Sequence, residues 1–267
     1  MTFLALSIAG SDSGGGAGIQ ADLKAFSALG VYGATAITAI TAQNTRAVTK
    51  VDPVSPAMIR AQIAAVFDDL AIGAVKIGML GDADAIAAVA AELDGRKVPV
   101  VVDPVMVAKS GDDLLPEAAI DALQRLILPH ASLLTPNLPE AARLLGCAEA
   151  SDAAEMRRQG RALIEMGARA VLMKDGHGTG AECRDLLVLP EGEEQFTAPR
   201  RDTQNTHGTG CTLSAAIAAL LARGFDLSEA VRGAHQYLQG AIAAADELGI
   251  GRGYGPVHHF HAVWPDG

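Results

Sequence analysis

Seven consecutive residues carry the strongest chemical signal in this 267-residue chain: Asn205-Thr206-His207-Gly208-Thr209-Gly210-Cys211. The small residues Gly208, Thr209 and Gly210 lead into Cys211, and an apolar run, Thr212–Ala222, follows. The pattern predicts a loop entering the N-terminus of a buried helix. Unpaired N–H groups and the positive end of the helix dipole gather at such an end and attract anions. Small residues let a phosphate come close to the backbone. A cysteine in the first turn would have its thiolate favoured. The place therefore suits a phosphoryl group held beside a group that handles a proton. The plainer reading is a helix that uses flexible residues for a tight entry, with Cys211 a small buried space-filler.

The elements that must position this loop are legible as short apolar runs alternating with longer amphipathic ones. Strands are expected at Leu4–Ala9, Thr35–Thr41, Ala74–Ile77, Val98–Val102, Leu133–Thr135, Val171–Lys174 and Leu186–Leu189. Several are apolar throughout, as for strands covered on both faces. Helices are expected at Pro56–Leu70, where Ile59, Ile63, Val66, Phe67 and Leu70 form one stripe, and at Pro116–Leu128 and Pro139–Leu145, which open on proline. Ser151 is the expected cap of a helix at Asp152–Met166; the helix after Cys211 should end at Gly224, and a last one should span Ser228–Leu248. This alternation implies one α/β domain over residues 1–267, a doubly wound, mostly parallel sheet with helices on both faces. Ligands of such sheets sit outside the carboxyl ends of the strands. The polar residues expected there are Gly10-Ser11-Asp12, Gln43-Asn44, Gly78-Met79, Asp103, Asn137 and Lys174-Asp175.

Composition narrows the partners. Lys and Arg total 21 against 31 Asp and Glu, a net charge of −10, with no basic run. Nucleic acid is excluded as a main partner, and phosphate must be bound locally or through a metal. Three scattered cysteines, Cys147, Cys183 and Cys211, argue against disulfides and zinc. Met1–Gly10 reads as a first strand rather than a signal peptide, and no apolar run has the ~18 residues of a membrane span. The expectation is a soluble cytosolic protein. Gly16-Ala17-Gly18-Ile19-Gln20-Ala21 fits G-x-G-x-x-A, but no Asp or Glu lies between Asp22 and Asp52 to hold a ribose. A nicotinamide-binding fold is rejected on that ground, and a Walker A loop for want of any Gly-Lys dipeptide.

Taken in order, seven segments resemble the ribokinase superfamily and, within it, the bacterial hydroxymethylpyrimidine/phosphomethylpyrimidine kinases: Ile8–Lys24, Thr38–Thr45, Val75–Gly81, Val101–Gly111, Leu134–Ala141, His207–Cys211 and Gly255–His261. The resemblance implies ATP-dependent phosphorylation of 4-amino-5-hydroxymethyl-2-methylpyrimidine and then of its monophosphate, for thiamine biosynthesis. It implies Mg2+, a homodimer, and an anion hole at His207–Cys211, with Gly208, Thr209 and Gly210 at its centre. Cys211, where the wider superfamily has an aspartate, would be the proton acceptor. For the acceptor substrate it points to Gln43, Asp22, Gly10 and Met79. For the nucleotide it points to Lys174, Asn137 and, in the loop Ala108–Asp113 that could close as a lid, Lys109. For magnesium it points to Asp103 and Glu140. Structure alone would make Asn137 and Glu140 a helix cap, Met79 core, and Asp22 and Lys174 solvated charges. Asp175 departs from the family's glycine, and its carboxylate is expected to compete for Lys174. The cluster His258-His259-Phe260-His261 is read as a packed tail rather than a metal site. The rivals are a pyridoxal/pyridoxine kinase and a pyrimidine-binding regulatory protein without turnover.

Overall fold

In the computed structural model, which describes residues 2–107, 115–176 and 180–264, the apolar runs line up into an eight-stranded sheet. Its strands are β1 (Leu4–Ala9), β2 (Tyr32–Ile37), β5 (Ala74–Ile77), β6 (Val100–Val102), β7 (Leu133–Leu134), β8 (Val171–Met173), β9 (Glu182–Leu189) and β10 (Gly192–Pro199). The order is β10-β9-β8-β7-β6-β5-β1-β2. The run from β8 to β2 is parallel, and β9 and β10 add an antiparallel edge. A separate two-stranded sheet pairs β3 (Ala39–Gln43) with β4 (Val48–Pro53).

Helices cover both faces, as the alternation requires. On one face α2 (Pro56–Asp69), α3 (Ala83–Leu93), α4 (Glu117–Ala122), α5 (Leu138–Leu145) and α6 (Ala153–Glu165) pack on Leu6, Ile8, Val75, Ile77, Val102 and Val171. On the other, α1 (Gly18–Ala28), α7 (Thr209–Ala222) and α8 (Leu227–Ala243) pack on Ala5, Ala74, Val101, Leu133 and Leu172. Consecutive strand residues thus serve opposite cores, which is why these strands are apolar without alternation. Among the described residues no helix is long and apolar enough to cross a membrane.

Several boundaries differ from expectation for local reasons. The expected strand Thr35–Thr41 is two strands: at Thr38 the chain leaves the main sheet, its hydroxyl donating to the Met79 carbonyl at 2.6 Å. Asp152, not Ser151, caps α6 by accepting from the Glu155 amide. The expected helix Pro116–Leu128 loosens into a π turn at Leu123–Ile127 before Pro129, which cannot donate into a regular helix. β4 and β10 carry no apolar run: their residues are mostly exposed, and polar ones break up the apolar ones.

Candidate functional site

The carboxyl ends of the parallel strands open on a cavity of about 710 Å³. Asp12 follows β1, Met79 follows β5, Asp103 follows β6, Asn137 follows β7 and Lys174 follows β8, and all five line it. The first turn of α7 enters from the other side. Gly208 is the N-cap of α7 with φ +79°, and a Cβ there would lie 1.9 Å from the Gly16 carbonyl oxygen. Only glycine lets the two loops meet so closely.

One wall collects charge. Lys174 Nζ donates to Asp103 Oδ1 at 2.9 Å, and Thr135 Oγ1 lies 3.2 Å from the same oxygen. A Cβ on Gly210 would sit 3.3 Å from Asp103 Oδ2 and 3.4 Å from Lys174 Nζ, so this pair faces the start of α7. Burial opposes the Lys174 charge, but Asp103 and Glu140 hold its pKa above the ordinary lysine value. Asn137 and Glu140 form the capping box of α5, each side chain accepting the other's amide at 2.8 Å. That cap does not remove them from the cavity, which both line. Burial, reinforced by Asp103, pushes the Glu140 carboxyl up to about 7 against the pull of Lys174. The competition expected from Asp175 is absent: its amide donates to Asp185 Oδ1, its carbonyl accepts from Arg200, and Lys174 is paired with Asp103. Asp103 and Glu140 both put carboxylates on the cavity, a donor set that suits a magnesium ion keeping most of its water. Lys109 and the loop Ala108–Asp113 lie outside the described residues.

Beneath Cys211 is a second lysine. Lys76 is fully buried on β5, with its Nζ 2.9 Å from Asp22 Oδ2, which also accepts from Ser7 Oγ at 2.6 Å. Burial disfavours the Lys76 charge, but Asp22 overcomes this and keeps the ammonium well above the ordinary lysine range. This corrects two expectations. Asp22 is neither solvated nor on the cavity wall; inside the core its Oδ2 accepts from Lys76 and Ser7, while its buried Oδ1 has no hydrogen-bond partner among the described residues. The Cys211 thiolate is not favoured: burial pushes the thiol up to about 11, Asp22 and Asp103 add to that, and Lys76 with the Gly18 amide only partly offset it. The dipole argument holds for an exposed helix end, and here two carboxylates share the space.

Gly10, Asp12, Gln43 and Met79 line another part of the cavity. A Cβ on Gly10 would lie 2.3 Å from Met79 Cε, so Gly10 makes room for the Met79 side chain. Asp12 accepts from the amides of Gly14, Gly16 and Ala17 at 2.8 to 3.0 Å and lies 2.8 Å from His207 Nε2. Burial opposes its charge, but His207 and these amides hold its carboxyl below the usual value. The glycine loop therefore turns its N–H groups onto a protein carboxylate, the physical reason G-x-G-x-x-A here is no pyrophosphate cradle. Gln43 lies beside His207. Lys76 was not singled out from sequence; Asp12 was expected only among the polar strand ends and His207 only within the anion loop, not as a pair. A lysine inside the apolar strand Ala74–Ile77 was the available signal for the first, because lysine is almost never fully buried unless paired. In the tail, His259 is buried against Thr212 Oγ1 at 3.0 Å, and burial lowers it to about 3, as befits packing.

Comparison with known proteins places the chain in a family. Residues 12–258 match the family described as phosphomethylpyrimidine kinase. The chain is 59% identical, over the whole of both chains, to the hydroxymethylpyrimidine/phosphomethylpyrimidine kinase of Rhizobium meliloti. Among solved structures, phosphomethylpyrimidine kinase from Clostridium difficile superposes with TM-score 0.81 at 42% identity, covering 90% of this chain and 100% of that one. Pyridoxal kinase from Staphylococcus aureus in complex with ADP superposes with TM-score 0.89 at 31% identity, covering 98% and 95%.

Proposed function

The chain belongs to the phosphomethylpyrimidine kinase family, and from that premise we propose how its cavity divides the reaction. It is a kinase that phosphorylates 4-amino-5-hydroxymethyl-2-methylpyrimidine and then its monophosphate, in thiamine biosynthesis. The phosphate chain of ATP lies along Lys174, Asn137 and the first turn of α7. There the Gly208, Thr209 and Gly210 backbone supplies donors where charge develops. Mg2+, held through water by Asp103 and Glu140, would supply charge neutralisation for the transferring phosphoryl group. The acceptor ring stands at the other wall, between Met79, Gly10 and Gln43, with its hydroxymethyl group toward Cys211.

Cys211 serves as proton acceptor only as thiolate, a minor form at neutral pH, and Lys76 is the cation that stabilises it. A loose transition state needs the alcohol proton removed late, so a small thiolate fraction suffices for the first transfer. The monophosphate is already ionised and needs no such base. The first transfer should therefore rise with pH, while the second stays flat. What carries the reading is the position of Cys211, in the first turn of α7 on the cavity that Lys174 and Gln43 also line.

The test is incubation of purified protein with Mg-ATP and, separately, the hydroxymethylpyrimidine, its monophosphate and pyridoxine, with products read by mass spectrometry. Diphosphate from the monophosphate supports the proposal; phosphorylation of pyridoxine alone defeats it. A side activity on pyridoxine is a second reading, favoured by the close superposition on a pyridoxal kinase. We further read the chain as one domain acting in the cytoplasm as a homodimer. The exposed Ile40 and Val51 on the β3–β4 sheet favour the dimer, and sedimentation velocity checks it.

A further inference from the structure

A helix end that offers its amides to a ligand cannot be fixed in the usual way, because a capping side chain would occupy one of them. Gly208, the N-cap of α7, makes no side-chain cap bond. The first turn is held instead from outside, by the C-terminal segment. One residue before the cap, the His207 amide donates to the Gly255 carbonyl at 3.0 Å, and His207 pairs with Pro256 in a parallel bridge. Within the first turn, the buried Thr212 Oγ1 lies 3.0 Å from Nε2 of the buried His259. Neither contact uses an amide of α7. His259 is itself fixed on α8, its carbonyl accepting from Tyr237 Oη at 2.7 Å, and the His258 amide donates to the Ala241 carbonyl at 2.9 Å. The start of the same segment wraps Thr45, two residues beyond Gln43. The amides of Arg252 and Gly253 donate to Thr45 Oγ1 at 3.3 and 3.2 Å, and that of Tyr254 donates to the Thr45 carbonyl at 2.8 Å. A Cβ on Gly253 would run into that carbonyl, so the close approach requires glycine.

We propose that residues 251–259 brace the anion loop against the Gln43 end of β3, with His259 and Thr45 as positioning residues. His259 acts through Thr212 and fixes the first turn of α7. Thr45 acts through the amides of residues 252–254 and fixes where the brace begins. None of Thr45, Thr212 and His259 lines the cavity. The inference rests on the pyrimidine-kinase reading and adds residues that touch neither substrate. The transferring phosphoryl group must meet the acceptor oxygen and the α7 amides at once. The spacing between β3 and α7 is therefore part of the catalytic geometry, and a shift of about 1 Å there is costly in rate.

Two measurements on the full-length protein test it. The first needs no turnover: amide hydrogen exchange of the ligand-free enzyme, read by mass spectrometry on a peptide covering residues 205–215. Thr212→Val keeps the side-chain shape and removes the hydroxyl. It and Thr45→Val should each speed exchange there by roughly fivefold, the weight of one ordinary hydrogen bond. Peptides of β5 and α3 should keep the wild-type rate, which separates a local loosening from a general loss of stability. The second is steady-state kinetics with the hydroxymethylpyrimidine and, separately, its monophosphate. Thr212→Val and His259→Leu should each lower kcat of both transfers by roughly ten- to a hundredfold, while KM for the acceptor holds within a few-fold. The double variant should be no slower than the slower single one, because each single variant already loses the same contact. His259→Gln, which can still hydrogen-bond Thr212, should recover most of the rate. Should His259→Leu not fold, His259→Gln against Thr212→Val carries the same comparison. Unchanged exchange at residues 205–215 in Thr45→Val, kcat near wild type in Thr212→Val, or a loss confined to KM overturns the proposal. If no pyrimidine is turned over at all, the functional reading fails, while the exchange rates still judge the brace.

Discussion

Two lysine–aspartate pairs lie under this cavity at the same separation, 2.9 Å, yet they do different work. Lys76–Asp22 is buried, with both side chains at 0% exposure although Lys76 borders the cavity; Lys174–Asp103 opens further into it, at 12% and 3%. In the buried pair Asp22 has only Lys76 and Ser7 as partners, so its charge depends on the lysine. The open pair faces the cavity, where its lysine and carboxylate are the groups proposed above for phosphate and hydrated metal. Distance alone does not tell a structural ion pair from a functional one. What each group can touch when the pair is disturbed does.

The sharpest way to break this comparison is to remove one charge from each pair. Lys76→Met strands the Asp22 carboxylate in the core and should cost about 3–5 kcal/mol of stability in urea unfolding. The double variant Lys76→Met/Asp22→Leu should recover most of that loss, because an apolar pair of similar volume removes both desolvation penalties. Equal stability of Lys76→Met and wild type would mean that Asp22 is not charged in the folded protein.

Lys174→Ala should leave the fold close to wild type, since Asp103 keeps Thr135 Oγ1 and gains water from the cavity. Activity should fall by roughly 10²–10³, the usual loss on removing one preorganised donor from developing charge. Both transfers should suffer alike, because both use the same phosphoryl donor. A large stability loss with unchanged kcat would reverse the roles assigned to the two pairs.

This contrast was only half legible in the sequence. The lysine at the end of β8 stood out because Lys174 follows an apolar run at a strand's carboxyl end, where ligands bind. Lys76 was hidden by its own strand: Ala74–Ile77 reads as core, and its partner Asp22 is 54 residues away. The parallel sheet and its site edge were readable because strands covered on both faces leave an unbroken apolar signature. The hairpin strands β4 and β10 leave none. Asn137 and Glu140 show the remaining gap: N-x-x-E denotes a cap and a possible ligand pair equally well, and here the residues cap α5 and line the cavity together.

Cys211 sits where both pairs can be read at once, since Lys76 lowers its pKa while Asp22 and Asp103 raise it. Cys211→Ala should slow the first transfer by roughly 10²-fold, the low end for loss of a general base, and leave the second within a few-fold. Equal effects on both transfers would remove the base role. The smallest signal is the most direct. A thiol raised to about 11 is almost wholly protonated at pH 8. Its alkylation should then be roughly a hundredfold slower than that of a thiol of ordinary pKa, climbing with pH well past 9. Removing the buried lysine takes away the cation that favours the thiolate, so Lys76→Met should slow alkylation further. Asp22→Asn removes a carboxylate that opposes the thiolate and should speed it. Mass spectrometry of Cys211 against the exposed Cys147 supplies the internal control. Shifts in opposite directions for the two variants would show that the buried pair sets the charge on Cys211, the residue proposed to take the hydroxyl proton. Shifts in the same direction would reduce Lys76 and Asp22 to support for the strand beneath.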